Sequence, residues 1–202
     1  MYESDDGVRR DSSMEKLGQL KPFFDKKFGS VTAGNSSQVT DGACLLILAS
    51  ADAVKKYKLP VLAKIVSTQW AGLDPAEMGL GPVYASTELM NRENLSINDI
   101  DYWELNEAFA AQVLGCVAAW EDAEYCQKYL GLPGAFGKVD LNKLNIDGGG
   151  IALGHPVGSS GARIVLHLAN VLKRKGARRG MATICIGGGQ GGAMLIENVA
   201  EV

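Results

Sequence analysis

Histidine and cysteine are scarce in this 202-residue chain, with two of the first and four of the second. The cysteines, Cys44, Cys116, Cys126 and Cys185, form no Cys-x-x-Cys pair and carry no metal-ligand spacing. Neither a metal site nor a disulfide frame is expected, and the thiols read as the reduced cysteines of a cytoplasmic protein. Excess charge is lacking too. Twenty basic against 23 acidic residues leave a formal charge of −3, which gives no electrostatic footprint for nucleic acid. The longest apolar run, residues 43–53, is broken by Ser50 and Asp52. It falls short of the ~20 residues that a membrane-spanning helix needs, so no transmembrane segment is expected. The first residues, Met-Tyr-Glu-Ser-Asp-Asp, have no basic start and no apolar stretch behind them, and no secretory leader is expected.

Glycine, in contrast, is abundant: 25 residues, about 12% against a usual ~7%. Eleven of the 25 crowd into two windows, Gly148, Gly149, Gly150, Gly154, Gly158 and Gly161, then Gly187, Gly188, Gly189, Gly191 and Gly192. Glycine weakens helices and strands but serves where φ must be positive or a backbone must come close to another group. Each window holds or touches a reactive side chain, His155 in the first and Cys185 beside the second. Both therefore read as site loops rather than simple tight turns.

Residues 1–30 are polar and punctuated, with one short helix expected over 14–20. Residues 31–33 and 43–49 read as strands, the second buried, and 51–58 as a helix closing before Pro60. From residue 61 the pattern alternates. Strands are expected over 61–66, 100–105, 144–146, 181–186 and 193–196. Helices fall between them, one opening at Pro82, one over 108–120 and one capped by Ser160 and ending at Lys173-Arg174-Lys175-Gly176. Residues 121–143 read as a looser surface excursion. This order predicts a layered α/β domain with a mixed five-stranded sheet covered by helices. The last two strands must be antiparallel, because about six residues cannot make a parallel crossover.

Three segments could carry chemistry. His155, between Gly154 and Pro156, has little freedom to move and suits a donor, acid or base near neutral pH. Cys185 ends an apolar strand and is followed by Gly187 and further glycines, whose bare backbone N–H groups can cradle an oxyanion. Asn106 and Glu107 stand at a strand's carboxy-terminal end, where α/β sites collect, although Asn106 could simply cap the next helix. His167, amid apolar helix residues, reads as a packed or surface histidine. Cys44, Cys116 and Cys126 read as small buried or loosely placed hydrophobes.

Taken together, Asn-Glu-Ala-Phe-Ala-Ala-Gln at 106–112, Gly-His-Pro-x-Gly-x-Ser-Gly at 154–161 and Cys-x-Gly-Gly-Gly-x-Gly at 185–191 resemble the carboxy-terminal signatures of the thiolase family. Thr-Ala-Gly-Asn-Ser-Ser at 32–37, followed by Asp-Gly-Ala at 41–43, resembles a further element of it. The resemblance covers essentially the whole chain in the right order. It implies a thiolase-like fold in which residues 1–60 are the tail of the amino-terminal half and loop domain, and 61–202 the carboxy-terminal domain. The family includes acetyl-CoA acetyltransferases and 3-ketoacyl-CoA thiolases, which move acyl groups between coenzyme A thioesters.

By the same resemblance, Cys185 is the general acid/base, His155 activates the nucleophilic cysteine and donates to a thioester oxyanion, and Asn106 holds the water completing that oxyanion hole. The Gly187 N–H serves a second hole, and Ser37 touches the pantetheine arm. No permanently bound cofactor is implied; acyl-CoA and CoA are substrates, and the full-length enzyme is expected to be a homo-oligomer. The family's nucleophilic cysteine sits in a Cys-x-Ser-Gly-like segment, and none of the four cysteines has that context. The expectation is a carboxy-terminal portion of a thiolase, inactive alone, that self-associates or leans on a partner. The other reading is a non-catalytic binding or assembly module of the same shape. The long stretch between Gln112 and Gly148 leans towards fatty-acid degradative members, those of β-oxidation.

Overall fold

The computed structural model describes residues 3–5 and 7–199. Its helices are α1 (Met14–Gly18), α2 (Ala51–Tyr57), α3 (Gly81–Arg92), α4 (Ala110–Glu121), α5 (Ala123–Leu130), α6 (Gly150–Leu153) and α7 (Val157–Lys175). Among the described residues one sheet of four strands forms: β1 (Ala63–Gly72), β2 (Tyr102–Leu105), β3 (Arg179–Ile186) and β4 (Gln190–Asn198), in the order β1-β4-β3-β2. β4 runs antiparallel to both neighbours, as the short turn after β3 requires, and β2 runs parallel to β3. The sheet is mixed and covered by helices, as expected from the sequence, but has four strands rather than five.

Helices cover the sheet on both faces. On one side Ile164, Leu168, Ala169 and Leu172 of α7 pack on Ala182 of β3 and Ile196 of β4. On the other, Val83, Leu89 and Met90 of α3 and Val113, Val117 and Trp120 of α4 pack on Trp103, Met181 and Leu195. The alternation along β3 makes this possible, since Met181 and Ala182 face opposite layers. Trp120 is fully buried, and its indole N–H donates to Thr87 Oγ1 at 3.1 Å, so no polar atom is stranded there. The close seating of α3 needs glycine. A Cβ on Gly81 would lie 2.8 Å from Gly191 Cα, so this part of the second glycine window serves helix-on-strand packing rather than a site.

Two expectations fail. The fifth strand does not form: residues 144–146 contribute only a single parallel bridge, Trp103 with Leu144. Asn145 is the reason. At φ 47° it turns the chain out of the sheet, while its side-chain amide accepts from Leu105 N and donates to Leu105 O, both at 2.9 Å. A side chain thus takes the place of the next ladder step. The two early strands are absent as well. Residues 33–35 form a 3-10 turn capped by Thr32, and residues 43–49 form no regular element and have no strand partner among the described residues. Leu45 and Ile47 are each 91% exposed, because an apolar run becomes a buried strand only when a neighbouring strand pairs with it. The excursion at 121–143 is more ordered than expected, holding α5 between the Asp122 cap and the left-handed Gly131.

Candidate active site

β2 ends at Leu105, paired with Thr183, and its parallel neighbour β3 runs on three residues further in the same direction to Ile186. The chain leaving β2 is held to β3 for one more residue, Asn106 N donating to Thr183 O at 3.0 Å. Asn106 is thereby placed at the sheet's edge with its side chain buried. Its Nδ2 is 3.4 Å from Nε2 of His155. Its Oδ1 is buried and has no protein partner among the described residues.

His155 is held from several directions. Its backbone N–H donates to Gln38 O at 2.7 Å, and Gly154 before it takes φ 84° with Thr40 packed against it. Nδ1 lies 2.7 Å from Ser160 Oγ, and Ser160 is fully buried. The Ser160 hydroxyl lies 3.1 Å from Pro156 O and can donate to it, so its oxygen is free to accept the Nδ1 proton. In that tautomer Nε2 carries the lone pair and faces the Asn106 amide. Once protonated, the same nitrogen becomes a donor. Burial pushes the His155 pKa below its ordinary value, and Arg163, whose guanidinium donates to Gly154 O at 2.8 Å, acts in the same direction. The imidazole is therefore neutral near pH 7, ready to take a proton.

By its place in the sequence Ser160 reads as a helix cap. Instead Pro156 holds the cap position and α7 opens four residues earlier than such a cap would place it, and Ser160 becomes the partner that fixes the ring. The signal was present in the sequence, since this serine lies within the motif at 154–161 that also contains the histidine.

Cys185 is the penultimate residue of β3, opposite Gly191 of β4 and 5% exposed. Burial raises its thiol pKa, which keeps it protonated at rest. It shares the strand-end edge with Asn106, but no hydrogen bond joins its sulfur to Asn106 or His155. Gly187 opens the turn after β3, and a Cβ there would meet nothing within 4 Å, so the residue is exposed and open in its side-chain direction. Ser37 is brought to the same region. Its N–H and its hydroxyl both donate to Ala108 O at 3.0 Å, and Ser36 bridges to Phe109. Residues 36–42 thus lie across the loops that carry Asn106 and His155.

Sequence reasoning underrated His167. Its Nδ1 lies 2.8 Å from Glu104 Oε1 and its Nε2 3.0 Å from Asp147 Oδ2, while Arg174 pairs with Asp147. The Glu104 bond, ahead of the Asp147 bond, raises the His167 pKa, although burial opposes both. Burial also holds Glu104 above the usual carboxylate range despite that bond. A cleft of about 90 Å³ runs beside this cluster, lined by Glu104, Asn106, Asp147, Gly149, Arg163 and His167. Nothing in a lone mid-helix histidine announces such partners, because they come from residues 63 and 20 positions away.

Comparison with known proteins fits this geometry. Residues 59–198 match the family model described as thiolase, C-terminal domain, and residues 1–52 that described as thiolase, N-terminal domain. The 3-ketoacyl-CoA thiolase of Marinobacter nauticus is 47% identical over 199 residues, covering 98% of this chain and 47% of that protein. Human mitochondrial 3-ketoacyl-CoA thiolase in complex with CoA superposes with a TM-score of 0.80 at 39% identity, over 98% of this chain and 46% of that one. The acetyl-CoA acetyltransferase of Bacillus anthracis gives the same TM-score at 43% identity, over 95% of this chain and 44% of that one. The chain spans about half the length of the curated relatives it matches.

Proposed function

The chain belongs to the thiolase family, and we propose from this that it supplies the acid–base and oxyanion half of a site that transfers acyl groups between coenzyme A thioesters. The observation that carries the reading is the Ser160–His155–Asn106 arrangement at the ends of β2 and β3, with Cys185 on the adjoining strand. His155, neutral with its Nε2 lone pair presented, takes the proton of a nucleophilic thiol. The resulting imidazolium then donates to the thioester oxyanion. Asn106, with its Oδ1 buried and without a protein partner, holds the water that completes this oxyanion hole. Cys185 rests as a thiol; in cleavage it delivers its proton to the α-carbon of the departing acetyl-CoA as the carbon–carbon bond breaks, and the thiolate left behind takes the proton of the incoming CoA thiol, condensation running the same transfers in reverse. The open backbone at Gly187 serves the acyl-enzyme carbonyl.

Acyl-CoA and CoA are the substrates, with Ser37 near the pantetheine arm. A relative crystallised with CoA supports this assignment. No helix among the described residues is long and apolar enough to cross a membrane. The four free thiols support a reducing compartment such as the cytoplasm. Exposed Leu45, Ile47 and Leu48, together with the edge strand β1, support self-association, which sedimentation would register as a dimer or larger species.

None of the four cysteines lies in a nucleophile segment, so acyl-enzyme formation needs a thiolate from elsewhere. The test is thiolysis of acetoacetyl-CoA, followed by loss of the 3-ketoacyl thioester. The purified chain alone is expected to show none, and the chain joined behind the amino-terminal half of the Marinobacter nauticus relative is expected to turn over. Turnover by the chain alone, or a folded but inert fusion, would overturn the reading.

A further inference from the structure

The loop that carries His155 is attached to the strand end that carries Asn106 through one further side chain. Glu107, half-buried, follows Asn106 directly. Its Oε1 accepts from Asn145 Nδ2 at 3.0 Å, and its Oε2 accepts from Ile151 N at 3.2 Å. Asn145 is in turn fixed by its two bonds to Leu105, and Ile151 lies in α6, which runs into Gly154 and His155. A carboxylate is the side chain that can do this, because both of its oxygens accept and both partners donate.

The surroundings leave no slack. A Cβ on Gly149 would lie 2.7 Å from the Glu107 carboxyl carbon, and one on Gly150 would lie 2.9 Å from Glu107 O. Gly149 and Gly150 therefore let the loop close down on Glu107. Gly150 also lies next to Asn106, so the close approach brings the two site segments together.

We propose that Glu107 is the positioning residue of the site, its carboxylate clamping Asn145 and the Ile151 N–H so that His155 Nε2 is held against the Asn106 amide. The inference rests on reading His155 and Asn106 as the acid–base and oxyanion pair, but its test reads ionisation and exchange rather than turnover. Its failure would therefore leave the acyl-transfer proposal standing.

The experiment is NMR on the full chain, whose two histidines are distinguished with a His167→Gln control. In Glu107→Ala the Ile151 amide is expected to exchange at least about tenfold faster, while core amides of α7 such as Leu168 and Leu172 keep their protection. The His155 titration midpoint is expected to rise towards its ordinary value as the loosened ring gains water. Should Glu107→Ala fail to fold, Glu107→Gln carries the test, since it keeps the shape and turns one acceptor into a donor facing a donor. Unchanged Ile151 exchange and an unmoved His155 midpoint in a folded variant would overturn the proposal. A uniform loss of protection that includes Leu168 and Leu172 would do so equally.

Discussion

His155 Nδ1 sits 2.7 Å from Ser160 Oγ, a hydroxyl buried one turn inside α7. The bond fixes the ring plane and commits one nitrogen, leaving the other for chemistry. Replacing Ser160 with Ala removes that partner without adding bulk. A misplacement of this kind costs on the order of 10²-fold in rate. Steady-state thiolysis by the fusion described above is expected to fall by about that factor, mainly in kcat, with the fold unchanged by circular dichroism.

The two histidines are expected to titrate on opposite sides of 6.5, His155 below because of burial and His167 above because of its bond to Glu104. The consequence for stability follows from linkage. A histidine whose folded pKa is raised contributes stability that is fully present below the unfolded value and is lost as pH rises through the folded value. Wild-type melting temperature is therefore expected to decline from just above pH 6.5 upward, and the decline should be absent in His167→Gln. Equal slopes in the two proteins would show that the Glu104–His167–Asp147 cluster does not contribute.

Thiol reactivity should follow burial. Cys116 and Cys185 are buried, and burial pushes the Cys116 pKa up to about 12 and raises that of Cys185. Cys44 is only half-buried. Iodoacetamide at neutral pH is expected to label Cys44 first, with Cys185 and Cys116 protected, as read by peptide mass spectrometry. Rapid labelling of Cys185 would mean a resting thiolate.

Leu168 is fully buried between α7 and the sheet, against Ala182 and Ile196. Leu168→Ala is expected to destabilise the chain by about 2–5 kcal/mol in denaturant unfolding, through lost burial plus the cavity left behind. A change under about 1 kcal/mol would mean that the layer collapses to fill the gap.

What the sequence revealed and what it hid divide along physical lines. The α7 stripe, its cationic end and its glycine stop are local and were readable, as was the antiparallel β3–β4 pair. His155 and Asn106 were readable because motif glycines and a strand end surround them. The fate of residues 43–49 was not, since burial of an apolar run depends on a partner strand that the run does not specify. Asn145 misled the strand count because its left-handed backbone and its amide bonds to Leu105 are set by a residue 40 positions away. Glu107 and His167 took on their roles for the same reason, each through a contact that only the assembled layers create, whereas Ser160 meets His155 only five positions away, within one motif.

The most direct measurement is the thiolysis rate of the fusion enzyme with Cys185 intact and with Cys185→Ala. Removal of a positioned acid–base group costs ~10²–10⁴-fold. The prediction is turnover by the intact fusion and a loss within that range in the variant, with the fold unchanged by circular dichroism. A variant that turns over within about twofold of the intact fusion would contradict the assignment of Cys185, and with it the claim that this chain holds the acid–base half of the site.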